Sequence, residues 1–151
     1  MPYAESRERV LDANLALGRA GLVRLTFGNA SAVDRAAGVV AIKPSGVSYD
    51  RLGADDIAVL DLERGVIVGG ETRPSSDTPT HLVLYRAWPD VGGIVHTHSS
   101  FATAWAQACR EIPCYGTTHA DHFDGAVQKK KPWAVGLSYR DIFDCGVICG
   151  A

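Results

Sequence analysis

His96-Thr97-His98 carries the most definite chemistry in this chain. On a strand, residues two apart share a face, so both imidazoles project together and can share one cation. Imidazole suits Zn2+ and its first-row neighbours. The plainer alternative is a pair of histidines that only hydrogen-bond at a strand end. Asp77, in the polar loop Ser75-Ser76-Asp77-Thr78, is a third candidate, either as a ligand or as a carboxylate that orients a metal-bound substrate. At the start of a helix, an aspartate is also an ordinary N-cap. His119 and His122 read as solvated loop residues rather than ligands. Catalytic zinc usually takes three protein ligands and keeps one position open. This chain offers two firm candidates and one weaker one.

Three loops combine small residues with amide or hydroxyl donors: Gly28-Asn29, Ser45-Gly46 and Ser75-Ser76. Small residues let backbone N–H groups approach an anion, and hydroxyls add donors. A helix N-terminus beside Ser75 and Ser76 favours negative charge there, and Lys43 offers a full positive charge. Each pair alone is an ordinary loop, because Gly, Ser and Asn are common loop residues. Spacing by itself does not bring them together.

The elements that must position these groups follow from periodicity and breakers. Val10, Ala13 and Leu17 recur at helical spacing and predict a helix over 4–20, stopped at Gly21. Gly28-Asn29 reads as a turn, and 32–36 as a strand and its end. Short β-branched runs predict strands at 38–42, 57–60 and 66–68, the last two joined as a hairpin through 61–65. A helix is expected over 78–87, with Pro79 in its first turn, where the missing N–H costs nothing. A strand over 94–98 precedes a helix of small residues over 99–108, whose alanines allow close packing. Residues 113–118 read as a short strand or loop. Mixed strands and helices predict a layered α/β sandwich. Strand order is not readable from the sequence.

The chain has 151 residues, enough for one domain with a real core. Hydrophobic residues make up 46% and charged residues 21%, values that exclude a disordered chain. A net charge of -2 argues against a nucleic-acid partner. The first residues carry Glu5, Arg7, Glu8 and Arg9 with no apolar run, and no stretch is long and apolar enough to span a membrane. Cys109, Cys114, Cys145 and Cys149 lack the paired spacing of a zinc ribbon. A cytoplasmic location with free thiols is therefore expected.

Taken in order, five segments resemble the L-ribulose-5-phosphate 4-epimerases of the class II aldolase superfamily. They are Leu25-Thr26-Phe27-Gly28-Asn29-Ala30-Ser31, Ile42-Lys43-Pro44-Ser45-Gly46-Val47, Pro74-Ser75-Ser76-Asp77-Thr78-Pro79-Thr80-His81, Gly93-Ile94-Val95-His96-Thr97-His98-Ser99 and Gly116-Thr117-Thr118-His119-Ala120-Asp121. The likeness covers roughly residues 4–127. It implies a layered α/β/α sandwich with a central mixed, mainly antiparallel sheet, incomplete at the C-terminus. It also implies a Zn2+ cofactor and a homotetramer, with active sites at subunit interfaces. Asp77, His96 and His98 would belong to the zinc site. Gly28, Asn29, Ser45, Gly46, Ser75 and Ser76 would bind the sugar phosphate, and Asp121 would be the acid/base residue. The family inverts C4 of L-ribulose 5-phosphate, giving D-xylulose 5-phosphate, by breaking and remaking the C3–C4 bond. Relatives with aldolase activity, such as the fuculose-phosphate aldolases, carry a glutamate where this chain has Asp77, which favours the epimerase. The family's third zinc histidine and its catalytic tyrosine lie beyond the matched region.

The region 1–128 is thus expected to be an epimerase-type N-terminal region and 129–151 a dissimilar tail. Lys129-Lys130-Lys131 holds three of the four lysines of the chain, whereas the other basic residues are almost all arginine. A shift of reading frame would produce such a change. Tyr139 lies in this tail and does not inherit the tyrosine role.

Overall fold

The computed structural model describes residues 2–122, 126 and 146–150. In chain order the elements are α1 (Ala4–Arg19), β1 (Asn29–Asp34), β2 (Val39–Ile42), a 3-10 turn (Ala54–Asp56), β3 (Ala58–Asp61), β4 (Ile67–Gly69), α2 (Thr78–Ala87), β5 (Gly93–Thr97), α3 (Ser100–Gln107), α4 (Thr117–His122) and β6 (Gly146–Gly150). The strands form one sheet in the order β4-β3-β2-β1-β5-β6. Every pairing in it is antiparallel, the predominant mode expected. Of the expected tail, only β6 is described. Lys129, Lys130, Lys131 and Tyr139 lie outside the described residues. Among the described residues no helix is long and apolar enough to cross a membrane.

The alternation of side chains along β2 creates two apolar faces. Val39 and Ala41 pack with Val10 of α1 and with Leu52, Ile57 and Val59. Val40 packs on the other face with Leu82, Leu84 and Tyr85 of α2 and with Val33 and Ile94. A helix on each face of one sheet is the expected α/β/α layering. Full burial of an aliphatic side chain such as Ile42, Ile57 or Ile94 contributes roughly 1.5–3 kcal/mol. Asn14 fastens α1 to the sheet with a fully satisfied buried amide. It donates to Val10 O (2.7 Å) and Ala30 O (3.0 Å), and accepts from Ala30 N–H (2.8 Å).

Three local expectations are corrected. Asn29 is not part of a turn; it opens β1 and pairs with His96. Gly28 alone turns the chain, with φ of 76°. The helix α3 has the expected position, but none of its residues is buried among the described residues: Ala102 and Ala106 are half-buried, and Ala104 and Ala108 are exposed. Small-residue composition shows what a helix tolerates, not what covers it. Residues 117–122 form α4, where a strand or loop leading into loop histidines was expected. A six-residue helix is too short for an apolar period to register.

Candidate active site

The register Asn29↔His96 and Ser31↔Ile94 puts four side chains on the sheet face that α2 covers. The start of α2 therefore lies over the ends of β1 and β5. Asp77 occupies the N-cap position, yet its side chain makes no capping hydrogen bond. Ser75 serves that end of the helix instead. Its Oγ accepts from Asp77 N–H (3.3 Å), and its carbonyl accepts from Thr78 N–H (3.1 Å) and Thr78 Oγ1 (2.7 Å). Asp77 Oδ2 is released to accept from Asn29 Nδ2 (2.6 Å), Ser75 Oγ (3.2 Å) and His96 Nδ1 (2.9 Å). Burial by itself pushes the Asp77 carboxyl up. The hydrogen bond and charge of His96, the Asn29 amide and the charge of His81 outweigh it and hold the group at about 2. Asp77 is thus an anion at any physiological pH.

His96 and His98 stand side by side, as strand alternation requires. Their ring centroids are 4.9 Å apart and their planes differ by 7°. His96 is buried, whereas His98, one residue past the end of β5, is exposed, with the Phe27 ring 5.7 Å away. A carboxylate on the Nδ1 of one imidazole, beside a second imidazole, is the arrangement of a histidine ligand with its outer-shell partner. The donor set fits part of a zinc site. Among the described residues no group of three or more His, Cys, Asp or Glu is placed to hold a metal ion.

The three candidate anion loops converge, which their spacing could not show. Ser45 N–H donates to Arg73 O (2.9 Å) and Ser75 N–H to Lys43 O (3.1 Å), forming a bridge between Pro44 and Pro74. Asn29 Nδ2 also donates to Ser75 Oγ (3.2 Å), joining the first loop to the third. Ser45, Gly46 and Ser76 are exposed around this junction, and Asn29 and Gly28 are buried within it. Asn29 Oδ1 is buried with no hydrogen-bond partner among the described residues. Such an orphaned acceptor is rare in a folded protein and calls for a ligand, a water or a functional reason. Lys43 is not directed at the exposed serines. Its ammonium is buried and donates to Val47 O (2.7 Å), Thr26 O (3.3 Å) and Pro44 O (3.4 Å). Asp121 lies exposed on α4, and no hydrogen bond or ion pair among the described residues ties it to Asp77 or His96.

Sequence reasoning assigned no role to His81, although its place four residues after Asp77 puts both on one side of α2. His81 is fully buried. Its Nδ1 meets Ser31 Oγ at 2.7 Å, and Ser31 Oγ meets Tyr85 Oη at 2.8 Å. Burial pushes its pKa down to about 4, with the charge of Asp77 opposing and that of His96 adding to the shift. The unfolded chain takes up this proton near pH 6.5, while the folded chain refuses it until about pH 4. Stability therefore falls as pH drops through that window, by roughly 3 kcal/mol at its lower end. Urea titrations of chelator-treated protein between pH 7 and 4.5 are expected to show this slope, and His81→Gln to flatten it. Equal slopes in the two proteins would contradict the assignment.

Residues 8–136 match the class II aldolase and adducin N-terminal domain family. Among solved structures, an L-fuculose 1-phosphate aldolase is 32% identical, with a TM-score of 0.68 over 73% of this chain and 51% of its own. The L-fuculose-1-phosphate aldolase of Thermus thermophilus is 27% identical, with a TM-score of 0.60 over 82% of this chain and 59% of its own. YgbL of Klebsiella pneumoniae, described as a putative aldolase/epimerase/decarboxylase, is 27% identical, with a TM-score of 0.61 over 70% and 50%. The chain thus spans about half the length of these structures. With its layered antiparallel sheet and this match, the chain belongs to the class II aldolase and adducin N-terminal domain family.

Proposed function

We propose that this chain forms the metal- and phosphate-binding part of a sugar-phosphate enzyme, and that its reaction is the epimerisation of L-ribulose 5-phosphate to D-xylulose 5-phosphate. The observation that carries this reading is the Asp77 carboxylate. One oxygen joins His96 of the candidate metal pair to Asn29 and Ser75 of the candidate phosphate loops. His96 and His98 would hold the cation. Asp77 keeps the proton of His96 on Nδ1, which leaves the lone pair on Nε2, the tautomer that a metal ligand needs. A divalent cation bound there supplies Lewis-acid stabilisation of negative charge on substrate oxygens. The exposed Ser45, Gly46 and Ser76 offer hydroxyl and amide donors to the phosphate and keep a cleaved fragment from escaping. Asp121 exchanges a proton with the C4 oxygen.

A second reading, a sugar-phosphate aldolase, is favoured by the structural neighbours that are L-fuculose 1-phosphate aldolases. Product analysis separates the two. L-ribulose 5-phosphate and Zn2+ are supplied to the purified 151-residue chain, and the products are resolved by mass and NMR. Formation of D-xylulose 5-phosphate supports the epimerase, and release of free glycolaldehyde phosphate the aldolase. Among the described residues, two imidazoles stand where catalytic zinc usually has three ligands. Zinc binding and turnover by this chain are therefore expected to be weak. Tight zinc binding with rapid turnover would overturn that expectation, and binding of zinc without either product would reduce the chain to a metal-binding unit.

A further inference from the structure

Lys43 and Tyr49 make a second junction between the candidate phosphate loops. Tyr49 Oη donates to Gly28 O (2.9 Å) and Phe27 O (3.2 Å). The Lys43 ammonium lies 4.8 Å from the centre of the Tyr49 ring and donates to Thr26 O in one loop and to Val47 O in the other. The segment they hold carries one strained residue: Leu25 has φ of 55°, whereas Gly28, with φ of 76°, adopts that region freely. Left-handed backbone at a residue with a Cβ is unfavourable and persists only where its surroundings enforce it. The hydroxyl and the ammonium point at main-chain carbonyls, so neither is offered to a ligand.

We propose that Tyr49 is a positioning residue that, with Lys43, fixes the 26–29 loop against the 44–47 loop and thereby sets the affinity for the substrate phosphate without touching it. The inference rests on the reading of Gly28, Asn29, Ser45 and Gly46 as phosphate-binding residues given above. Burial raises the Tyr49 pKa to about 12, so the hydroxyl remains a donor throughout the useful pH range. The lowered Lys43 pKa has the same cause.

The test is Tyr49→Phe in the full chain. This change removes the hydroxyl but keeps the ring beneath Lys43 and against Gly18. Three quantities are read: exchange of the Phe27 amide, which donates to Arg24 O; affinity for inorganic phosphate; and affinity for Zn2+. Faster Phe27 exchange, phosphate binding weakened about three- to tenfold and unchanged zinc binding are expected, the size being that of one lost hydrogen bond. Unchanged Phe27 exchange overturns the inference whatever the ligands do. Faster exchange with equal phosphate affinity, or equal losses for zinc and phosphate, also overturns it, because the hydroxyl then serves the fold alone. No phosphate binding by the wild-type chain overturns the phosphate reading of the loops and the ligand half of this inference, while the exchange result still decides whether Tyr49 holds the loop. If Tyr49→Phe does not fold, Lys43→Met reads the same junction from its other member, with the same outcomes.

Discussion

Replacing His98 with alanine is expected to remove most Zn2+ binding while leaving the fold intact. The two effects separate because His98 is exposed and lies just past the end of β5. Its deletion opens no cavity and leaves no buried group unpaired, so stability should change by no more than about 0.5 kcal/mol. The candidate ligand pair, however, falls from two imidazoles to one. Loss of an outer-shell partner typically costs about 10–100-fold in metal affinity, and loss of a direct ligand should exceed that. Asp77→Asn provides the comparison, because it keeps the shape but weakens the hold on His96 Nδ1, 2.9 Å away. Competition against a chromophoric chelator, with a urea titration of each variant, gives the ranking. Zinc affinity should fall more for His98→Ala than for Asp77→Asn. Wild-type affinity in His98→Ala would take zinc away from this histidine pair.

Gly28→Ala is expected to cause the largest loss of stability from a single methyl group. Gly28 has φ of 76°, and a Cβ there would lie 2.7 Å from Val23 Cγ1 and 2.9 Å from the backbone oxygen of His96. The conformation itself costs a residue with a Cβ roughly 1–2 kcal/mol. The crowding adds about 1–3 kcal/mol, because Val23 can turn away but a main-chain oxygen of β5 cannot move without disturbing the Asn29↔His96 pair. A total of about 2–5 kcal/mol is a large share of the ~5–15 kcal/mol that holds a typical domain together. Gly46→Ala isolates the first contribution. Gly46 has φ of 75°, but a Cβ there meets nothing within 4 Å. Urea midpoints should therefore fall much further for Gly28→Ala than for Gly46→Ala. Equal shifts would show that the approach of Gly28 to His96 carries no steric cost. The same contact links fold to function, since the turn at Gly28 delivers Asn29 to the carboxylate that steadies His96.

Much of this protein was determined locally. Val10 and Leu17 mark the buried face of α1, with Asn14 in place of the expected Ala13, and Pro79 marks the first turn of α2, because helical periodicity and the missing proline N–H act within a few residues. Strand alternation alone put His96 and His98 on one side, and they stack there. The partners of those side chains were decided elsewhere. Whether Asp77 caps its own helix or turns to Asn29 and His96 depends on the register that sets Asn29 beside His96, and on the start of α2 reaching both. The order β2-β1-β5, unreadable from the sequence, creates that register and draws three loops into one junction. It also turns the Lys43 ammonium toward carbonyls instead of an anion, and buries His81 beneath Asp77. Propensity and periodicity are properties of neighbours in the chain. A site is a property of neighbours in space, and only the packing of α2 across β1 and β5 made these residues neighbours.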